Sequence, residues 1–252
     1  MSKDDPARKG HTFVRRVLDF GQRRYLRALA HAAAIVPGGP VGGVCALAER
    51  FPLTPEHILL GYAQGMFPMD QSGHIRWHCP DPRHAIPLEK LHVPSRAGQY
   101  LRRGHFELDF DRDPAGVLAA CGDRKRTWLT PRLQAAYRAL FDLGAMHTAE
   151  ARQGGRLVGG AFGVALGTVF TVESMFSRED HAGKLVFAHL CQHLVTRGFT
   201  LVDCQYPQEH TERFGAIEMP REEYRNRLAR GLIHPPSFLA PTASPQAEGS
   251  GG

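Results

Sequence analysis

Cysteine is scarce in this chain. Its 252 residues hold five, Cys45, Cys79, Cys121, Cys191 and Cys204, and no two form a C-x-x-C pair. An odd, scattered set argues against a disulfide framework and for reduced thiols, so a cytoplasmic address is expected. No apolar run approaches the ~18 residues that a membrane-crossing helix needs, which leaves no membrane span in the expectation. The apolar segment Ala28–Val36 follows basic residues as a secretory leader would. It is short, starts late, contains His31 and runs into Gly/Pro without a small-residue cleavage site, so it is not read as one. His74, His78, Cys79 and His84 lie close together in sequence but match no familiar zinc spacing. Histidines on short strands and turns are the preferred reading, and no metal is expected.

What is present is ordinary in bulk: 42% apolar and 22% charged residues, as in a soluble globular protein large enough for one large domain or two small ones. The net charge of +6 is uneven, because residues 1–30 carry eight Lys or Arg against three Asp, or +5 of it. Thr12 is placed to cap a helix with Val14, Val17, Leu18, Tyr25 and Leu29 on one face and arginines largely elsewhere. Such a helix reads as an RNA-contacting arm, a membrane-surface element or a terminal helix packed on its own protein. VPGGPVGG at 36–43 then reads as a linker.

Local signals divide the rest. Thr54-Pro55 starts a short helix with Ile58, Leu59 and Tyr62 that stops at Gly65. Ile75–Cys79 and His84–Leu88 read as strands around the Pro80-Asp81-Pro82 turn, and Phe106, Leu108 and Phe110 alternate with acids as in a half-buried strand. A helix starts at Asp113-Pro114. The loop Asp123–Arg126 before Trp128 couples cations to an aromatic, which suits either a nucleic-acid backbone and base or a structural loop. Thr130-Pro131 opens a helix with Leu133, Ala136, Tyr137 and Leu140 on its buried side; Gly154-Gly155 marks a hairpin; Pro220 opens a last helix. From Pro235 the Pro/Ser/Ala/Gly composition reads as a disordered tail.

The most informative stretch runs from Leu157 to Gln205 as two strands, a helix with Phe187, Leu190, Cys191 and Leu194 at helical spacing, and a third strand. In that last strand alternation sends Asp203 and Gln205 to one side and Val202 and Cys204 to the other. Glu173 ends an apolar strand. If the strands pair, two carboxylates and an amide converge, and a carboxylate on an interior strand needs a partner or a task.

The strings GYAQGMFP at 61–68, PDPR at 80–83, TWLTP at 127–131, GTVF at 167–170, ESMFSR at 173–178, LVDCQ at 201–205 and HTERFGAIEMPR at 210–221 together resemble the leucyl/phenylalanyl-tRNA–protein transferases. The resemblance implies an α/β (α+β) fold with a GNAT-like acyltransferase core and a smaller N-terminal domain. The expected divisions are a basic extension and linker at 1–40, the small domain at 41–82, the catalytic domain at 83–234 and a disordered tail at 235–252. The implied reaction passes an amino acid from aminoacyl-tRNA to the N-terminal α-amine of a protein beginning with Arg or Lys, which marks it for N-end-rule degradation. Because the donor is an activated ester, neither a cofactor nor a metal is implied.

By the same resemblance Asp203 orients or polarises Gln205, Gln205 contacts the incoming amine, Glu173 holds an ammonium group and Tyr62 steadies the site. Trp128 and Tyr137 match aromatics around the terminal adenosine and aminoacyl group, and Ala161, Phe170, Phe187, Leu190, Leu194 and Val202 match the pocket for the transferred side chain. The chain departs from the usual family residues at Met69, Ala161, Gly183, Phe187, Leu190, Thr211, Arg213 and Phe214. Leu, Phe and Met therefore stay unranked as the transferred residue. Two other readings remain open: a CoA-dependent GNAT acetyltransferase, disfavoured by Glu179 and Asp180 where phosphate would bind, and a tRNA- or peptide-binding protein without turnover.

Overall fold

The computed structural model describes residues 43–45 and 53–239, so the basic arm expected at 1–40 lies outside the described residues. In chain order the elements are β1 (Gly43–Cys45), α1 (Pro55–Ala63), β2 (Phe67–Gln71), β3 (His74–Cys79), β4 (Arg83–Pro87), α2 (Ser95–Arg103), β5 (Glu107–Phe110), α3 (Pro114–Gly122), α4 (Pro131–Asp142), β6 (Met146–Gln153), β7 (Arg156–Leu166), β8 (Val169–Ser177), α5 (Ala182–Thr196), β9 (Leu201–Gln205), α6 (Glu209–Glu212), β10 (Ile217–Met219) and α7 (Arg221–Gly231). Among the described residues no helix is long and apolar enough to cross a membrane.

Local chemistry sets several of these boundaries. Thr54 caps α1 by accepting the His57 N–H, with Pro55 at the first position, and Asp113 caps α3 by accepting the Gly116 N–H at 2.9 Å. The β6–β7 hairpin turns on Gly154 and Gly155, both left-handed at φ 56° and 77°, a conformation that a two-residue hairpin turn requires and glycine supplies without strain.

The strands form two sheets, a small one in the order β1-β3-β2 and a seven-stranded one in the order β10-β4-β9-β8-β7-β6-β5. The strand–strand–helix–strand order expected over Leu157–Gln205 is present as β7, β8, α5 and β9, with β6 ahead of it. β8 and β9 are the parallel pair, and α5 supplies the crossover that a parallel pair needs.

Each face of the large sheet carries its own apolar cluster. One gathers α1, α3, α4 and α7 with Phe162, Val164, Val169 and Leu201; the other gathers α5 with Ile86, Ala149, Ala161, Phe170 and Val202. Ile58, Tyr62 and Trp77 share the first cluster with Leu133 and Phe162, so the boundary expected near residue 82 is a change of sheet and not of core. α1 meets β3 at bare backbone, because a side chain on Gly61 would overlap the Trp77 ring. Gly61→Ala is expected to destabilise the protein by about 1–3 kcal/mol, the usual range for overpacking, as read by the denaturant midpoint.

The chain does not leave the protein at Pro235, where the tail was expected to begin. Phe238 is buried, Arg197 donates from Nε to the Ser237 carbonyl and from Nη2 to the Leu239 carbonyl, both at 2.8 Å, and His193 Nε2 lies 2.7 Å from the Phe238 carbonyl oxygen. A single aromatic and two side chains at the end of α5, His193 and the C-cap residue Arg197, hold the start of this segment, which composition does not reveal. Residues 240–252 lie outside the described residues.

Candidate active site

The site forms where the large sheet comes apart. β8 and β9 pair only at Val169↔Leu201, Phe170↔Val202 and Thr171↔Asp203, although β8 continues to Ser177. Each strand also carries a bulge beside this fork. On β8, Gly163↔Val172 is followed by Phe162↔Ser174, which leaves Glu173 as the extra residue. On β9, Ala85↔Asp203 is followed by His84↔Gln205, which leaves Cys204 extra. Bulges re-aim the side chains around them. Gly163 permits the first, since a Cβ there would meet the Thr171 carbonyl and the Phe170 ring. Gln205 itself takes a left-handed φ of 65°, uncommon for a residue with a side chain.

Asp203 is buried and saturated. It accepts from Arg83 Nε and Nη2 at 2.8 Å each, Thr171 Oγ1 at 3.1 Å, the Tyr224 hydroxyl at 2.9 Å and the Gln205 backbone N–H at 2.9 Å. Expected to orient or polarise Gln205, it reaches that residue through the backbone, fixing the strand end. Arg83 is equally buried, donates also to the Gly65 carbonyl at 3.1 Å, and sits between the Phe67 and Tyr224 rings at 4.9 and 4.6 Å from their centroids. Burial opposes its charge, yet Asp203 beside it raises its pKa further.

Sequence reading gave Arg83 and Tyr224 no part in the site. The signal was Arg83 in the PDPR string, because an arginine beginning an apolar strand must find a carboxylate.

Glu173 is the second buried carboxylate at the fork. Gln205 Nε2 donates to its Oε1 at 2.9 Å and the Tyr137 hydroxyl to its Oε2 at 3.1 Å, while the Tyr62 and Tyr137 hydroxyls lie 2.9 Å apart. Burial pushes its carboxyl up to about 7, against the lowering effect of these donors. The same burial, with Glu173 nearby, holds both tyrosines well above the ordinary phenol range. Tyr137→Phe removes one donor to the carboxylate, so the pH at which Glu173 is half-ionised is expected to rise; a basic shift in the acid limb of a rate–pH profile would register it.

Glu173, Asp203, Gln205 and Tyr62 thus meet in one network with Arg83, Tyr137 and Tyr224. Tyr137, expected with Trp128 around the donor's terminal adenosine and aminoacyl group, is wholly buried within that network. Half-buried Trp128 lies edge-on to it at 6.3 Å. The residues expected to line an apolar pocket, Ala161, Phe170, Phe187, Leu190, Leu194 and Val202, all belong to the cluster under α5. Phe170 and Val202 alternate with Thr171 and Asp203, so the apolar group lies across the sheet from the carboxylates.

Among the described residues no three His, Cys, Asp or Glu side chains are placed to hold a metal. His78 is engaged, with Nδ1 3.0 Å from the Tyr206 hydroxyl and Nε2 3.3 Å from Gln71. His84, opposite Gln205, is buried with neither ring nitrogen bonded, and burial lowers its pKa.

Residues 85–229 match the family model described as leucyl/phenylalanyl-tRNA protein transferase, and residues 51–81 match that family's N-terminal domain. A leucyl/phenylalanyl-tRNA–protein transferase of Salinibacter ruber is 44% identical over 188 residues, covering 74% of this chain and 83% of the relative. One from Ruegeria pomeroyi is 42% identical over 191 residues, covering 75% and 91%. Among solved structures, a GCN5-related N-acetyltransferase from Kribbella flavida aligns at 16% identity and TM-score 0.37, over 64% of this chain and 59% of that one.

Proposed function

The chain belongs to the leucyl/phenylalanyl-tRNA–protein transferase family, and on that premise we propose that it transfers Leu, Phe or Met from aminoacyl-tRNA to the N-terminal α-amine of a protein beginning with Arg or Lys, marking that protein for N-end-rule degradation. The observation that carries the reading is the Gln205–Glu173 pair at 2.9 Å across the fork between β8 and β9. An ester donor is already activated. The protein has to position the two substrates, let the attacking amine lose a proton so that its nitrogen can bond to the ester carbonyl, and stabilise the tetrahedral oxyanion until the C–O bond to the tRNA breaks and its terminal hydroxyl leaves.

With its Nε2 committed to Glu173, Gln205 has a carbonyl oxygen to offer an N–H of the attacking amine. The ionised Glu173 draws the α-ammonium toward the fork and favours its approach. Asp203 and Arg83 contribute rigidity, because five protein donors hold the buried Asp203 carboxylate in place. The apolar residues under α5 then receive the transferred side chain, and half-buried Trp128 is the aromatic assigned to the donor's terminal adenosine.

A CoA-dependent acetyltransferase is the second reading, and the start of α5 speaks against it. Glu179 and Asp180 precede the helix, and the Gly183 N–H already donates to Ser177 Oγ at 2.9 Å, so one of the amides that would cradle pyrophosphate is taken. The test is to incubate the full chain with radiolabelled leucyl-, phenylalanyl- and methionyl-tRNA and an Arg-starting acceptor. Labelled acceptor is expected with at least one donor. Saturable acetyl-CoA binding without label would favour the second reading, and tRNA binding without label would favour a non-catalytic protein.

A further inference from the structure

The segment after α7 returns to the apolar face of the large sheet and buries one ring there. Phe238 stacks on His147 with centroids 4.1 Å apart and on Phe170 at 5.5 Å, and meets Phe110, Phe199 and His193 at 5.4, 6.4 and 4.7 Å. His193 of α5 and its C-cap residue Arg197 hold the carbonyls of residues 237–239. Phe170 is the member of this group that also pairs with Val202 and shares a cluster with Leu190 and Leu194. Phe238 lies beyond residue 229, where the family match ends.

We propose that Phe238 is a positioning residue that backs Phe170, and so sets how large a side chain the enzyme transfers. The inference rests on the reading under Proposed function, in which Phe170 lines the pocket. A phenylalanine removed from a packed interior leaves a space that its surroundings fill only in part. Phe170, stacked directly on Phe238, is then free to retreat into that space, and its retreat deepens the pocket. Pocket depth is a sensitive setting, since one methylene discriminates between substrates by about 10-fold or more. The chain's own C-terminal segment thereby tunes a site whose other walls belong to the family core.

The experiment compares kcat/KM for phenylalanyl- and leucyl-tRNA, at a fixed Arg-starting acceptor, in the full chain and in Phe238→Ala, Phe238→Leu and Arg197→Ala. Arg197→Ala frees the segment from outside the core and stands in if Phe238→Ala does not fold. The Phe-to-Leu ratio is expected to rise about 10-fold or more, on the scale of a one-methylene change, in Phe238→Ala. It rises in the same direction in Arg197→Ala and returns toward the parent value in Phe238→Leu. A ratio unchanged in both alanine variants, whatever happens to stability or total rate, overturns the inference alone. No transfer by the parent chain with either donor overturns the functional reading and this inference with it.

Discussion

Asp203→Ala is expected to lose both the fold's margin and the reaction. The substitution leaves Arg83 fully buried beside three orphaned donors: the Thr171 hydroxyl, the Tyr224 hydroxyl and the Gln205 N–H. Breaking a buried ion pair by removing one partner costs about 3–5 kcal/mol, a large part of a stability of about 5–15 kcal/mol. Transfer should fall by ~10²-fold or more, as when a positioning contact near the chemistry is misplaced, because Gln205 is held in its left-handed conformation by that carboxylate. The double variant Arg83→Met with Asp203→Leu separates the two effects. Replacing both partners by apolar groups of similar volume is often neutral or stabilising, so most of the stability should return while the transfer rate does not. Urea denaturation and the radiolabel assay on the same preparations decide it; a double variant that recovers both would mean that Asp203 serves the fold only.

Much of the central unit was legible because its signals are local. Alternation along Phe199–Gln205, helical spacing from Phe187 to Leu194 and the caps at Thr54 and Asp113 each require only neighbouring residues, and β9, α5, α1 and α3 form where those signals stand. Alternation alone also brought Asp203 to the face opposite Val202. What it could not show were the bulges at Glu173 and Cys204, which depend on how many residues the partner strand supplies. Arg83 and Tyr224 escaped for a related reason: they reach Asp203 from 120 and 21 residues away, and no periodicity encodes such a contact. α2 went unseen because SRAGQYLRR buries no residue fully, and Phe238 because one aromatic in a Pro/Ser-rich stretch carries no repeat to detect.

Glu173→Gln should separate stability from activity, the two properties that Asp203→Ala loses together. In the folded chain this carboxyl titrates at about 7, against an ordinary value of 4.5. Between those two pH values the folded state keeps a proton that the unfolded state releases. The favourable contribution is therefore complete below pH 4.5 and is lost as pH rises through about 7. A displacement of this size corresponds to roughly 3 kcal/mol at about 1.36 kcal/mol per pH unit. Glutamine has nearly the same shape and no proton to lose, so the variant should match the parent in acid and exceed its stability by up to that amount above neutrality. Its transfer rate should nevertheless drop by ~10²-fold or more, the scale of a lost acid–base or charge contact. The limb of the rate–pH profile near neutrality should vanish, leaving only the titration of the acceptor amine. Thermal melts at pH 5 and pH 8 beside the transfer assay give both readings. A variant less stable than the parent at pH 8 would overturn the stability half, and one that transfers at the parent's rate would show that this carboxylate serves no purpose in the reaction.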